Sequence, residues 1–160
     1  MPAPGTSAPS RPERDGPPDP RDIPDLSKIV EPVLRRVPAP VREVQAADEL
    51  ARMASIVRRA VAEGAYGLSS GLFYAPGSFA ATDEVVALAR AAGGVYASHI
   101  RDEANYSVGV MAAVDEVIAV AEQAQVRGIV THVKALGPDN WGLGAAIAAR
   151  LDLARGRGVD

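Results

Sequence analysis

The chain of 160 residues contains no cysteine. That excludes a disulfide framework and any thiolate zinc site, so a metal bound here is held by nitrogen and oxygen. No stretch approaches the ~18 apolar residues of a membrane span, and the N-terminal MPAPGTSAPSRPERDG lacks the apolar core of a signal peptide. Cytoplasmic residence and no membrane partner are expected. A strong excess of either charge is missing as well: 17 Lys and Arg are scattered among 20 Asp and Glu, for a formal net charge of −3. Without a basic stripe, nucleic acid is not an expected partner. Length sets a further limit. The apolar content of 48% suffices for one domain with a real core, but a complete (β/α)8 barrel needs about 200 residues or more.

Proline is present but unevenly placed, with eleven of the 13 in residues 1–40. Proline fixes φ and removes a backbone donor, so this stretch cannot sustain a helix or a ladder. The reading is a proline-rich disordered tail over residues 1–40, with local structure conceivable only in Leu26 to Val37, followed by one α/β domain over residues 44–160.

From Val44 the texture becomes an alternation of helical and strand-like segments. Asp48 to Glu63 places Leu50, Met53, Ile56, Val57, Ala60 and Val61 on one helical face, with Gly64 as the stop. Ala65 to Ser70 reads as a short strand, and Thr82 as the N-cap of a helix ending at Gly93 and Gly94. Gly94 to Ile100 is a second strand, Ser107 to Gln125 an amphipathic helix, Gly128 to Val133 a third strand, and Leu143 to Arg155 a last helix. Strand starts about 30 residues apart suit β–loop–α units with parallel strands, apolar on both faces and covered by helices. Function in such folds sits at the carboxyl ends of the strands.

The only two histidines, His99 and His132, fall at those ends. Neutral imidazole is a good zinc ligand, and two of them on neighbouring strands can converge on one ion; each could equally be a hydrogen-bonded core residue. Lys134 follows His132 by two, so strand periodicity puts both on one side, where a cation suits a substrate carboxylate or pairs with a surface acid. Asp102 and Glu103 read as solvated or helix-capping acids. Tyr74, in GLSSGLFYAPG, is a possible hydroxyl donor to substrate. Trp141 reads as a packing anchor in preference to a substrate contact.

Taken together, GAYGLSSGLFYAPGSFA, GGVYASHIRDE and THVKALGPDNWG resemble successive segments of the D-aminoacylase family, the N-acyl-D-amino-acid deacylases of the amidohydrolase superfamily, from about Ala47 to Asp160. The resemblance implies a TIM barrel in which zinc assists hydrolysis of the amide of small-molecule N-acyl-D-amino acids. It implies that Ser98-His99-Ile100-Arg101 brings His99 as zinc ligand from the fifth barrel strand and Arg101 as a substrate contact. Thr131-His132-Val133-Lys134 brings His132 as ligand from the sixth strand and Lys134 as carboxylate anchor, and Tyr74 matches an aromatic of a substrate loop. The sequence departs from the family in lacking its His-x-His pair and its cysteine ligand, and the family's catalytic aspartate would fall beyond Asp160.

The expectation is therefore a partial TIM barrel of about three consecutive β/α units, a fragment without turnover of its own and with no catalytic residue to name. Its unpaired strand edges favour self-association. Two alternatives stay open: a fragment of a cyclic amidase of the dihydroorotase or hydantoinase kind, disfavoured because AYGLSS offers no lysine, and a noncatalytic β/α binding module.

Overall fold

The computed structural model describes residues 39–160, with side chains from residue 46 onward. The proline-rich tail expected over residues 1–40, and the local structure conceived for Leu26 to Val37, fall almost wholly outside them. A first helix, α1 (Ala39–Ala62), begins earlier than its apolar spacing indicated. Its apolar stripe is only partly covered: Leu50, Val57 and Val61 are half-buried, whereas Met53 and Ile56 are 41% and 58% exposed. Residues from Glu43 to Asp160 form one compact unit.

Within it the order is β1 (Gly67–Gly71), α2 (Thr82–Ala92), β2 (Val95–His99), α3 (Val110–Ala124), β3 (Arg127–Val130) and α4 (Gly144–Gly156), with single 3-10 turns at Gly77–Phe79 and Pro138–Asn140. The strands pair in parallel in the order β1-β2-β3. Parallel neighbours need a crossover, and α2 and α3 provide one each. At Gly67 a Cβ would stand 1.9 Å from the Val95 carbonyl oxygen, so the β1–β2 pairing starts only where no side chain is present. At Gly128 a Cβ would meet that of Ala121 at 2.9 Å, and its absence lets α3 lie against β3.

Register explains the two faces of the sheet. Leu68, Tyr96 and Gly128 align across the strands, as do Ser70, Ser98 and Val130; this face meets the helices. Tyr96, Ile100 and Leu72 join Val85, Val86 and Ala89 of α2 and Val110, Val114 and Val117 of α3 in the core. Each Val, Leu or Ile among them contributes about 1.5–3 kcal/mol of burial where it is fully covered. The buried Tyr96 hydroxyl is not orphaned, because Ser70 Oγ lies 2.8 Å away. On the opposite face Ser69, Ala97 and Ile129 align and are less covered. His99 belongs to that open face by strand alternation.

Two local expectations are corrected. Ala81, in extended conformation, is the N-cap of α2, and Thr82 is the first helical residue; its hydroxyl donates to Glu116 Oε1 at 2.8 Å instead of capping. Trp141, expected to anchor packing, is 74% exposed. No described helix is long and apolar enough to cross a membrane.

Candidate metal centre

The site is assembled from the loops that follow β2 and β3. His99 is the last residue of β2 and stands beside Gly71, its partner on β1. Its ring packs near Tyr74 at 4.9 Å, Phe73 at 5.5 Å and His132 at 4.4 Å between centroids. The Nε2 atom is buried and has no hydrogen-bond partner. Burial lowers the His99 pKa, as do His132 and Lys134, against an opposing pull from Glu103. The imidazole is thereby favoured in its neutral form, the form that can donate a lone pair to a metal.

The chain then turns through residues 100–109 on a scaffold that Asp102 organises. This wholly buried carboxylate accepts the backbone N–H of Ala104 at 2.8 Å, of Ser107 at 2.6 Å and of Gly109 at 3.0 Å. Burial alone would raise its pKa, but these hydrogen bonds outweigh it and hold the carboxyl below its ordinary value. Asp102 is therefore neither solvated nor a helix cap, as its place in a charge run had indicated. It ties the loop to its own backbone.

Glu103 departs from expectation in the same way. Its side chain is 4% exposed, with Oε1 at 3.7 Å from His99 Nε2, 3.3 Å from His132 Nδ1 and 2.6 Å from Lys134 Nζ. Close as Lys134 is, Oε1 has no partner in hydrogen-bonding geometry. The two loops also meet through backbone, since Leu136 N–H donates to the Glu103 carbonyl at 2.7 Å. Sequence reasoning missed Glu103 as a site residue. Nothing in the local sequence signalled it, because Glu103 sits in the charged run Arg101-Asp102-Glu103, which ordinarily faces water.

His132 is not on a strand. β3 ends at Val130, Thr131 closes the ladder by giving both its N–H and its hydroxyl to the Ser98 carbonyl, and His132 takes a positive φ of 36°. Strand periodicity therefore does not relate it to Lys134, yet the turn brings Lys134 Nζ to 2.9 Å from His132 Nδ1. Both side chains are about half exposed. Tyr74 lies beside His99 with its side chain largely in the open.

Arg101, expected to contact substrate, is held by hydrogen bonds within the fold. Its guanidinium forms a fork on Glu116 at 2.7 and 2.8 Å and donates to the carbonyls of Ser78 and Ala80. It braces the loop after β1 against α3. The apolar groove between α3, β3 and α4, lined by Val117, Ala121, Ile129 and Leu151 among others, includes none of the imidazoles.

Among the described residues, His99, Glu103 and His132 offer ligand atoms that all lie within 4.8 Å of one another. Imidazoles and a carboxylate at the carboxyl ends of consecutive parallel strands are a donor set that a divalent metal accepts. No family model matches the chain. It is 42% identical over 117 residues to N-acyl-D-glutamate deacylase of Alcaligenes xylosoxydans xylosoxydans, covering 71% of this chain and 23% of that protein. Among solved structures, N-acyl-D-glutamate deacylase from Bordetella bronchiseptica, complexed with zinc and a phosphonate inhibitor, superposes with a TM-score of 0.67 at 40% identity, covering 71% of this chain and 24% of that one. D-aminoacylase, described as defining a novel subset of amidohydrolases, gives 0.64 at 33% identity, with 69% and 23% covered.

Over this region the chain is related to the D-aminoacylases and N-acyl-D-amino-acid deacylases of the amidohydrolase superfamily, and its three β/α units correspond to part of their TIM barrel. It spans about a quarter of the length of the relatives it matches.

Proposed function

We propose that this chain carries part of the metal and substrate site of a zinc-dependent hydrolase acting on the amide of N-acyl-D-amino acids. His99 and His132 are the metal ligands and Lys134 the anchor for the substrate carboxylate. The observation that carries the reading is the convergence of both imidazoles at the carboxyl ends of adjacent parallel strands, with His99 Nε2 buried and unpartnered. Leaving such an atom without a hydrogen bond costs about 1–3 kcal/mol, which a bound cation recovers. The residues present therefore fit a divalent ion, and such an ion supplies Lewis-acid polarisation of an amide carbonyl and activation of water.

What the chain's own groups do follows from their placement. The neutral His99 keeps its lone pair at the floor of the site. The Lys134 ammonium lies against Glu103 at the half-exposed rim of the site, within reach of a substrate carboxylate as a point charge. Tyr74 and Phe73 wall the site on the β1 side. Arg101 braces the loops that carry these residues.

A chimera tests this. Residues 44–160 replace the matching segment of the Alcaligenes N-acyl-D-glutamate deacylase, and hydrolysis of N-acyl-D-amino acids is followed with and without zinc. Zinc-dependent turnover that falls by about a hundredfold or more in His132→Ala is expected. Full activity in the His132→Ala chimera overturns the proposal.

A further inference from the structure

Resting on the reading that His99 and His132 bind metal, we propose that Glu103 is a third protein ligand and that Lys134 is the cation it gives up when the metal enters. The sequence offered Glu103 only as a solvated or capping acid. In the structure its carboxylate is almost fully buried, points between the two imidazoles and leaves Oε1 without a proper hydrogen bond. A buried carboxylate in that state requires a positive charge beside it.

Two cations can provide that charge, and they compete for the same atoms. Lys134 Nζ stands 2.6 Å from Glu103 Oε1 and 2.9 Å from His132 Nδ1, so the ammonium touches two of the three atoms a metal would use. A divalent ion needs those lone pairs for itself. Two imidazole nitrogens and one carboxylate oxygen are a donor set that zinc accepts, with a position left open. The carboxylate is held by the loop that Asp102 fixes, whereas Lys134 is half exposed at the end of a four-carbon stem, with solvent to receive it when displaced. Metal entry therefore expels the ammonium, and the expelled Lys134 becomes available to a substrate carboxylate. Loading the metal prepares the anchor.

The test uses the untagged 160-residue chain and Co2+ as a spectroscopically visible stand-in for zinc, with affinity read from the ligand-field absorption and from zinc competition. Lys134→Met is expected to tighten cobalt binding on the order of tenfold, because a like charge leaves the site. Glu103→Gln is expected to weaken it on the order of tenfold or more, with a changed absorption band. Cobalt affinity that is unchanged or weaker in K134M overturns the exchange, and that variant, at a half-exposed position, decides the matter even if E103Q fails to fold. Equal affinity in a folded E103Q also overturns the third ligand. If binding is then still lost in His99→Ala and His132→Ala, the histidine reading stands without it. Binding that survives both histidine variants overturns the two readings together.

Discussion

The loop after β2 and the loop after β3 carry the two halves of the same site and are built in opposite ways. Residues 100–109 are organised around a wholly buried Asp102 that gathers three backbone N–H groups. After β3, residues 131–136 are tied to their neighbour, through Thr131 on Ser98, Leu136 on Glu103, and Lys134 beside Glu103, and the chain bonds to its own backbone only beyond them, where Asn140 donates to the Leu136 carbonyl. One loop supports itself, and the other rests on it. Glu103 and His99 are thus largely covered, while His132 and Lys134 are both about half exposed, which leaves them more room to rearrange. A rigid half sets the geometry, and a mobile half can exchange one cation for another.

The most severe way to break this contrast is Asp102→Ala, which leaves three backbone donors without their acceptor. A loss of roughly 3–4 kcal/mol in urea unfolding is expected, with broadened His99 and His132 ring signals by NMR. A loss under about 1 kcal/mol would show that the loop does not depend on its carboxylate. Glu116→Gln comes next. It removes the charge from the fork with Arg101, whose side chains are 15% and 9% exposed, and is expected to lower stability by about 2 kcal/mol. Because that clamp ties α3 to the loop after β1, the effect should reach Tyr74 rather than Lys134. Amide exchange by residue separates the two.

Acid offers a milder version of the first break. The folded Asp102 carboxyl has a pKa below its ordinary value, so the unfolded chain binds the proton more readily. Its contribution is then complete above about pH 4, the unfolded value, and disappears as pH falls through the lowered folded value. The self-supporting loop should lose amide protection in that acid window. In Asp102→Asn the same profile should be flatter, and identical profiles would remove Asp102 as the cause.

Much of this arrangement could be read in advance, and the misreadings share one cause. Glycines and apolar runs located β2 and its neighbours because strand and helix periods are local properties of the chain. The end of β3 was not local. Thr-His-Val continues a β-branched run, but Thr131 spends its hydrogen bonds on Ser98 and the chain leaves the sheet at Val130. Lys134 was placed near His132 by a strand period that does not apply there; the turn produces the same proximity by another path. Asp102 and Glu103 were misread because a run of charges ordinarily faces water, and only the folded loop reveals the donors and cations that compensate their burial. Trp141 erred in the other direction, since its size suggested burial that no neighbouring element provides.

The smallest effect gives the finest discrimination. His132 holds a φ of 36°, a region where an L-residue is disfavoured by about 1–2 kcal/mol and glycine is not. His132→Gly relieves that cost but forfeits the edge-on contact with the His99 ring at 4.4 Å and adds backbone freedom to the unfolded chain, a further penalty of about 0.5–1 kcal/mol. The opposing contributions should leave stability within about 1 kcal/mol of the parent in urea unfolding. A loop that rests on its neighbour tolerates such a change, because Leu136 and Lys134 still attach it to Glu103. A loss above about 2 kcal/mol would mean that His132 itself supports the fold, and the division into a rigid half and a mobile half would fail at the residue where it matters for exchange.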